Sequence, residues 1–261
     1  GELMPISTAH EKGQIPTNLR LLLLLEEVSR AGVPVTPADL VGALGLPKPT
    51  VHRLFNTAEE AGFLQRDIDG RSFGPGPRLR RLSVNTLSSQ RLRTVRLSIL
   101  NGVVEKMGET CNIAVPDRDA MVYLDRIETK WPLRIQLPVG TKVPFHCTAS
   151  GKMYLSSLNP RYLDRYLASR TLEEHTKKTI TYTARLKAEL TKTRKRGYST
   201  DDEEFMDGMV AVAVPIIDDQ GRLVSTLSAH APLQRNDLPA LVANVETLKT
   251  AADQLSELLL S

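Results

Sequence analysis

Residues 36–60 read TPADLVGALGLPKPTVHRLFNTAEE, a stretch that contains two consecutive helix starts. The first is Thr36 followed by Pro37, a favoured capping pair, and the short helix that it opens ends near Gly45. A second helix begins within residues 47–50 and continues to the end of the stretch. Its apolar residues recur at helical spacing: Val51, Leu54, Phe55 and Ala58. Two short helices joined by a tight, glycine-containing turn are the helix-turn-helix arrangement.

The sequence on either side of this pair predicts the rest of a small domain. A leucine-rich stretch before it predicts a preceding helix. After the two helices in the sequence, Asp69-Gly70 separates two short extended runs, residues 63–67 and 71–73. This pattern is a strong hairpin signal. A hairpin behind the second helix makes a winged helix-turn-helix, whose second helix enters the major groove of DNA. We therefore predict that residues 12–77 form a DNA-binding domain of this type.

The positive charge of the chain is concentrated in the same region. The 261 residues carry a formal net charge of +4. Residues 1–96 hold 13 Lys and Arg against 9 Asp and Glu, whereas residues 97–261 hold 21 of each. Residues 64–96 alone contain eight arginines against Asp67 and Asp69. A local basic stripe is expected for nucleic-acid binding, although a solvated charged helix would show the same run, so the prediction depends on the helix-turn-helix beside it.

Six side chains of the second helix and of the hairpin are predicted to contact DNA. Those at the start of a helix in the major groove can reach base edges, while arginines of the wing typically contact phosphate. The predicted DNA-binding residues are Lys48, Thr50, His52, Arg53, Arg66 and Arg71.

The rest of the chain predicts a linker and a larger domain. Residues 78–91 are expected to form a basic linker helix, and residues 92–261 an α+β domain. Helices are predicted over residues 92–107, 148–158, 161–168, 182–196 and 241–259. Strands are predicted over residues 111–115, 120–127, 133–137, 209–217 and 222–230, the last two as an antiparallel hairpin.

The hydrophobic segments are too short for a membrane span. The longest unbroken aliphatic run is residues 21–25, followed by two glutamates, whereas a bilayer requires roughly 20 apolar residues. No signal peptide is visible at the start of the sequence. With two cysteines only, a reducing compartment fits best. We therefore expect a cytoplasmic protein with no membrane partner.

The residues that could serve catalysis or hold a metal do not form a recognisable pattern. Cys111 and Cys147 give neither a disulfide framework nor metal-ligand spacing. His146 and Cys147 are neighbours, and neighbours in an extended segment point to opposite sides, which argues against a nucleophile and its base. The acidic run at residues 201–204 has no histidine or cysteine spaced to join it. We therefore predict no enzyme, no metal and no cofactor.

Three motifs in order resemble one known family. Residues 144–152 (PFHCTASGK) are similar to its P-x-H-x-T-A-x-G-K loop and helix start. Residues 196–204 (RGYSTDDEE), followed by a glycine, are similar to its R-G-Y-x-x-D-x-E-E…G segment. Residues 50–54 (TVHRL) and 62–64 (GFL) resemble its recognition helix and wing start. Over residues 16–258 the chain therefore resembles the IclR family of bacterial transcriptional regulators.

The resemblance implies a fold, a function and partners. The fold would be an α+β chain with an N-terminal winged helix-turn-helix, a linker helix and a C-terminal GAF-like domain that binds an effector. The function would be ligand-responsive repression or activation of catabolic genes. The partners would be a palindromic double-stranded operator, a small carboxylic or aromatic acid, and a second copy of the chain, as a dimer or a dimer of dimers. The alternative is a signalling or scaffold protein whose helix-turn-helix mediates protein contacts.

The resemblance also implies which residues line the effector site. They lie on a strand, on a loop-to-helix junction and on the final hairpin: Ile135, Ala149, Ser150, Asp201, Met209, Ala211, Ser228 and His230. A helix that starts near Ala149 would present free main-chain N–H groups to the ligand, which favours a carboxylate. Members of the family that bind two- or three-carbon acids have serine where His230 aligns, which indicates a different acid here.

Each of these residues also has a purely structural interpretation. Ile135 and Met209 are of a type found in any core. Asp201 could cap a helix in an acidic turn, and His230 could be an ordinary histidine at a strand end. The residue types alone leave both interpretations open.

Overall fold

The computed structural model describes residues 15–87 and 89–260, which fold as two compact units. The first unit ends at Ser89 and the second begins at Gln90. The helices of the first unit are α1 (Arg20–Ala31), α2 (Pro37–Leu44), α3 (Lys48–Glu60) and α4 (Pro77–Leu87). Its strands are β1 (Leu64–Arg66) and β2 (Phe73–Pro75), which pair antiparallel.

The predicted winged helix-turn-helix is confirmed, and local sequence signals explain its helix ends. α1 stops at Gly32, which has a positive φ of 68° that a glycine adopts without strain. Asp39 helps to cap the start of α2, because its carboxylate accepts the main-chain N–H of Thr36 at 2.8 Å. Gly45 ends α2, again with a positive φ. These residues therefore set the end of α1 and both ends of α2.

An apolar core fixes α3 against the hairpin. Val51, Phe55 and Ala58 lie one turn apart on α3 and are completely buried. The Phe55 ring packs edge-on against Phe73 of β2 at a centroid distance of 5.0 Å. β2 begins at Phe73, two residues later than predicted. The Asp69 carboxylate accepts hydrogen bonds from the main-chain N–H groups two and three residues later, and these bonds extend the turn.

The predicted linker helix at residues 78–91 is interrupted. α4 ends at Leu87, and α5 (Gln90–Met107) begins as a separate helix of the second unit. The N–H of Ser89 bonds to the carbonyl of Thr86, three residues back, and this tighter spacing departs from the α-helical pattern.

The second unit is a six-stranded antiparallel sheet with helices on both faces. Its strands, in the order β5-β4-β3-β8-β7-β6, are β3 (Thr110–Asp117), β4 (Ala120–Ile127), β5 (Lys142–Pro144), β6 (Ser199–Asp202), β7 (Met209–Ile217) and β8 (Leu223–Pro232). Its further helices are α6 (Ala149–Ser157), α7 (Pro160–Ala168), α8 (Thr183–Arg196), α9 (Leu238–Ala243) and α10 (Val245–Leu260). The predicted final hairpin is β7 and β8, and the predicted last helix is divided into α9 and α10.

The two faces of this sheet differ in chemistry. One face is mainly apolar, with residues such as Ile113, Val212 and Leu227, and it packs against Leu100 of α5 and Leu248 of α10. The opposite face carries α6, where Ala149 and Met153 contact Ala211 and Ala213 of β7. The second face also holds most of the polar residues of the sheet, so it is the face on which a ligand site can form.

The predicted strand at residues 133–137 is wrong. These residues form an irregular loop, because the Arg126 guanidinium takes the carbonyl oxygens of Ile135 and Leu137 as hydrogen-bond acceptors. The edge strand is instead β5, which pairs with β4. Among the described residues, no helix combines the length and the apolar character that crossing a bilayer requires.

Candidate functional site

The exposed face of α3 carries most of the side chains predicted to contact DNA. Lys48, His52 and Arg53 are exposed, while Val51 and Phe55 between them face the core. Thr50 is half-buried at the start of the helix. The burial of one side of α3 thus leaves a positively charged side available to a groove of DNA.

The two wing arginines occupy different environments. Arg66 forms an ion pair with Glu59 of α3 at 2.8 Å, and its guanidinium lies 4.7 Å from the centroid of the Phe73 ring. It also donates a hydrogen bond to the carbonyl of Gly70 at 3.0 Å. Arg71 is exposed in the turn of the wing. Arg66 therefore holds the wing against α3, whereas Arg71 is the wing arginine presented to solvent.

The arginines at residues 64–96 do not form one basic surface. Arg78 donates to the carbonyl of Ala61 at 3.0 Å, and Arg80 to that of Pro75 at 2.6 Å. Arg96 belongs to the second unit, where it is buried and pairs with Asp125 at 2.5 Å. Part of the charge that the sequence concentrates here therefore serves internal contacts.

Strand register collects polar residues on the α6-bearing face of the sheet. Directly paired residues of antiparallel strands point to the same side. One row across the strands is Asp201, Ala211, His230 and Thr110. The next row is Ser199, Ala213, Ser228, Asn112 and Arg126. A third contains Thr226, Ala114 and Tyr123. The face thus has a polar patch over β3, β4 and β8, bordered by the alanines of β7.

Many polar groups of this patch are buried and have no hydrogen-bond partner among residues 15–87 and 89–260. They are the side chains of Asn112, Tyr123, Ser150, Thr226, Ser228 and His230. A buried polar group left unsatisfied costs about 1–3 kcal/mol, and native proteins contain few of them. Six such side chains, five of them on adjacent strands and one at the helix start beside them, are what a site for a polar ligand requires.

The titratable groups of the patch are held in unusual protonation states. Burial, aided by the nearby Arg126 charge, lowers the pKa of His230 to about 3, so its ring is neutral at pH 7. Burial and the adjacent Glu204 raise the pKa of Asp201 to about 8, so that carboxyl is largely protonated. Burial also raises the pKa of the Tyr123 hydroxyl. Because Asp201 is protonated and the Tyr123 hydroxyl is not ionised, the patch has no negative charge of its own to repel an anion.

The start of α6 is positioned by both motifs of the second unit. The Thr148 hydroxyl accepts the N–H of Gly151 at 3.1 Å and caps the helix. Lys152 is buried and contacts both carboxylate oxygens of Glu204, at 2.8 and 2.9 Å. Ser199 donates a hydrogen bond to the carbonyl of Ala149. The ion pair and this bond join α6 to β6, so the helix start is fixed beside the polar patch.

The structure brings most of the predicted effector residues together. Ala149 and Ser150 open α6, and the others that share the α6-bearing face are Asp201, Met209, Ala211, Ser228 and His230. Asp201 also has a structural role, because its carboxylate accepts the N–H of Glu204 at 2.8 Å. This hydrogen bond lies within a turn and does not cap a helix. Ile135 lies apart in the irregular loop and is joined to the patch through its carbonyl, which Arg126 binds.

Four residues of the patch escaped sequence reasoning. Asn112, Tyr123, Arg126 and Thr226 lie on predicted strands, but the sequence does not predict the pairing of β3 with β8 that brings them together. The signal available for Asn112 was its position between Cys111 and Ile113, because a polar residue that alternates with buried apolar ones faces the other side of a strand.

The prediction that His146 and Cys147 diverge is wrong. Residues 145–148 form a bend between β5 and α6 and not an extended segment. One ring nitrogen of His146, the Cys147 sulfur and one ring nitrogen of His175 all lie within 4.8 Å of one another. The sequence gives no reason to group His175 with the other two.

An exposed basic recognition helix beside a wing, in a chain whose second unit has a buried polar site, is typical of a DNA-binding transcriptional regulator. Comparison with known families agrees. Residues 19–67 match the IclR helix-turn-helix domain, and residues 84–257 match the family described as bacterial transcriptional regulator IclR C-terminal. The chain belongs to the IclR family of transcriptional regulators.

Individual relatives support the same assignment along almost the whole chain. The probable transcriptional regulator SauR of Cupriavidus necator is 39% identical, over 91% of this chain and 94% of its own. The transcriptional repressor IclR of Escherichia coli is 30% identical, over 90% and 86%. An IclR homologue from Microbacterium hydrocarbonoxydans, solved in complex with 4-hydroxybenzoate, is 26% identical with a TM-score of 0.59, over 92% and 98%. These relatives are regulators and not enzymes, as predicted for this chain.

Proposed function

We propose that this regulator senses a small organic acid in the polar patch of the second unit and changes its affinity for operator DNA in response. The observation that carries the proposal is the group of six buried polar side chains beside the start of α6, which have no hydrogen-bond partner within the described part of the chain. A ligand that supplied their missing hydrogen bonds would stabilise the folded unit, and any difference in affinity between two states of the protein would shift their populations.

The chemistry of the patch favours an anion with a second polar group. The first turn of α6 offers main-chain N–H groups and the positive end of the helix dipole, which favour a carboxylate near Ala149 and Ser150. Neutral His230 and the hydroxyl of Ser228 can both donate and accept, which suits a hydroxyl or carbonyl on the ligand. The binding of 4-hydroxybenzoate by the Microbacterium relative supports a ligand of this class.

On the DNA side, we assign base contacts to Lys48, Thr50, His52 and Arg53 and a phosphate contact to Arg71. Arg66 acts mainly by fixing the wing, since its partners lie within the same unit. The controlled genes would be catabolic ones, and repression as the mode of control is supported by the Escherichia coli relative, which is named a transcriptional repressor. A homodimer or dimer of dimers would present two such helices to a palindromic operator in the cytoplasm.

The ligand site is tested with Ser228→Ala in a thermal-shift and calorimetric screen of carboxylic and aromatic acids. The hydroxyl that alanine removes has no hydrogen-bond partner among the residues that the structure describes, so Ser228→Ala should not lower the unfolding temperature. Losing its bond to the hydroxyl or carbonyl of an acid should weaken binding about 2- to 10-fold, since a neutral hydrogen bond contributes about 0.5–1.5 kcal/mol.

Ser225→Ala is the matched control, because Ser225 is a buried serine three residues earlier on the same strand, outside the patch. Its ligand affinity should stay at the wild-type value. Equal affinities of wild type and Ser228→Ala for every acid that binds would move the ligand away from the patch.

The DNA side is tested with Arg53→Ala on an operator library. If Arg53 contacts a base, the variant should lose about 1–3 kcal/mol of binding free energy and relax the preference at one operator position. Arg185→Ala, a change to an exposed arginine of the second unit, is the control and should bind like wild type. An unchanged preference in Arg53→Ala would restrict Arg53 to a phosphate contact or to no contact.

A further inference from the structure

Three potential metal ligands meet beside the polar patch but outside it. His146 and Cys147 lie in the bend before α6 and are buried, and His175 lies in the loop between α7 and α8 and is exposed. One ring nitrogen of each histidine and the Cys147 sulfur all lie within 4.8 Å of one another. None of the three belongs to the proposed ligand site or to the DNA-binding face.

The loop that carries His175 is held in position by bonds that do not involve the cluster. The Thr179 hydroxyl accepts the N–H of His175 at 3.0 Å and donates to the carbonyl of Glu204 at 2.6 Å. The Thr176 hydroxyl donates to the carbonyl of Glu203, also at 2.6 Å. The segment that follows β6 in the chain therefore anchors this loop. It holds His175 next to His146 and Cys147 without the help of a bound ion.

His146 makes the hydrogen bond to a main-chain carbonyl that is characteristic of a metal-binding histidine. Its Nε2 lies 2.8 Å from the carbonyl oxygen of Glu173. A carbonyl can only accept, so Nε2 carries the hydrogen and Nδ1 keeps its lone pair. Metal-bound histidines almost always donate their other ring N–H to a carbonyl or carboxylate in this way.

We propose that His146, Cys147 and His175 bind one divalent cation of the zinc type. Two imidazoles and a thiolate are the nitrogen and sulfur ligands that Zn²⁺ prefers in tetrahedral sites, and hard cations such as Mg²⁺ do not select them. The fourth position is left for water or another small ligand on the side of exposed His175. The Cys147 thiol releases its proton to solvent when the ion binds.

The ion would connect the start of α6 to the loop between α7 and α8. Because Cys147 precedes the α6 cap Thr148, a bound ion would also stabilise the helix start that faces the polar patch. This role does not depend on the identity of the organic acid, or on whether one binds.

The test is titration of the metal-stripped full chain with ZnCl₂, followed by isothermal calorimetry, and with CoCl₂, followed by absorption. We expect one ion per chain, release of a proton, and with Co²⁺ the near-ultraviolet charge-transfer band of a thiolate ligand. Cys147→Ser and His175→Gln should each weaken Zn²⁺ binding by more than about 100-fold, since loss of a supporting contact alone costs 10–100-fold. His175 is exposed, so His175→Gln should fold normally.

Cys111→Ser and His52→Gln are the matched controls, because Cys111 lies on the apolar face of the sheet and His52 in the first unit. Both should bind Zn²⁺ like wild type. The proposal is overturned if no stoichiometric Zn²⁺ binding is seen, if no thiolate band forms with Co²⁺, or if His175→Gln binds Zn²⁺ as tightly as wild type.

Discussion

Asp201 combines a structural contact with an unusual protonation state. Its side chain is almost completely buried, and one carboxylate oxygen accepts the N–H of Glu204 at 2.8 Å. Burial and the adjacent Glu204 raise its pKa to about 8, against about 3.9 for a free aspartate. Between these two values the folded state holds a proton that the unfolded state has lost. Asp201 can therefore donate a hydrogen bond to a ligand at neutral pH, which an ionised aspartate cannot do.

This proton makes stability depend on pH in a defined direction. A folded-state pKa above the unfolded value contributes stability at low pH, and this contribution is lost as the pH rises towards 8, at up to about 1.4 kcal/mol per pH unit. Asp201→Asn cannot ionise and keeps an oxygen for the Glu204 bond. The unfolding temperature should therefore fall less between pH 6 and pH 9 in Asp201→Asn than in wild type.

The control for this comparison is Asp219→Asn, at an exposed position of the turn between β7 and β8. Its pH profile should run parallel to that of wild type. Parallel profiles for Asp201→Asn and wild type would mean that Asp201 is ionised in the folded protein.

At the scale of elements, the first turn of α6 depends on a close approach between two pieces of main chain. Gly151 follows the cap residue Thr148 by three positions, and the main chain of Phe145 in the preceding bend passes against it. A β-carbon at Gly151 would lie 2.7 Å from the carbonyl carbon of Phe145, where no side-chain carbon fits. The glycine of the G-K motif is therefore required by packing, and it keeps the helix start close to the bend that carries His146 and Cys147.

Gly151→Ala should destabilise the second unit although alanine is the better helix former. The overlap should cost about 1–3 kcal/mol, more than the roughly 1 kcal/mol that alanine contributes in a helix. Gly102→Ala in α5 is the matched control, since nothing lies within 4 Å of its added β-carbon, and it should raise stability. Urea unfolding measures both. A Gly151→Ala variant as stable as Gly102→Ala would contradict the close approach.

At the scale of the whole molecule, charge is divided between two units with different tasks. The first carries the exposed cations of α3 and the wing, and the second, which begins at Gln90, holds several ion pairs in its interior. Arg96 pairs with Asp125, Lys152 with Glu204, and Arg235 with Glu109 at 2.6 Å. An arginine or lysine that is held in an internal ion pair is not available to neutralise a DNA phosphate. The DNA-binding charge is therefore smaller than the arginine count at residues 64–96 suggests.

Operator binding should weaken with salt, and by an amount that identifies the cations involved. The logarithm of the affinity should fall linearly with the logarithm of salt concentration, with a slope of about −0.9 per neutralised phosphate. Arg71→Ala should reduce that slope by about 0.9, whereas Arg96→Met, which removes a buried cation of the second unit, should not change it. Affinity that did not respond to salt would favour protein contacts as the role of the helix-turn-helix.

Much of the fold was predictable because its signals are local. The Thr36 cap, the glycines that end α1 and α2, and the Asp69-Gly70 turn each act within a few residues, so the winged helix-turn-helix is visible in sequence. The strand predicted at 133–137 failed, although its alternation is real. Its carbonyl groups are taken by Arg126, a side chain from another strand, and no short-range pattern reports that.

The sequence by itself determined the helix starts, the turns, the alternating strands and the family motifs, since each depends on neighbouring residues and on steric limits of the main chain. Tertiary structure alone decided the strand register that collects Asn112, Tyr123, Ser228 and His230 on one face. It also decided that Arg66 and Arg96 serve internal contacts, and that His175 lies beside Cys147. These outcomes depend on contacts between residues distant in the chain, and their energies come from burial and desolvation, which exist only once the core has formed.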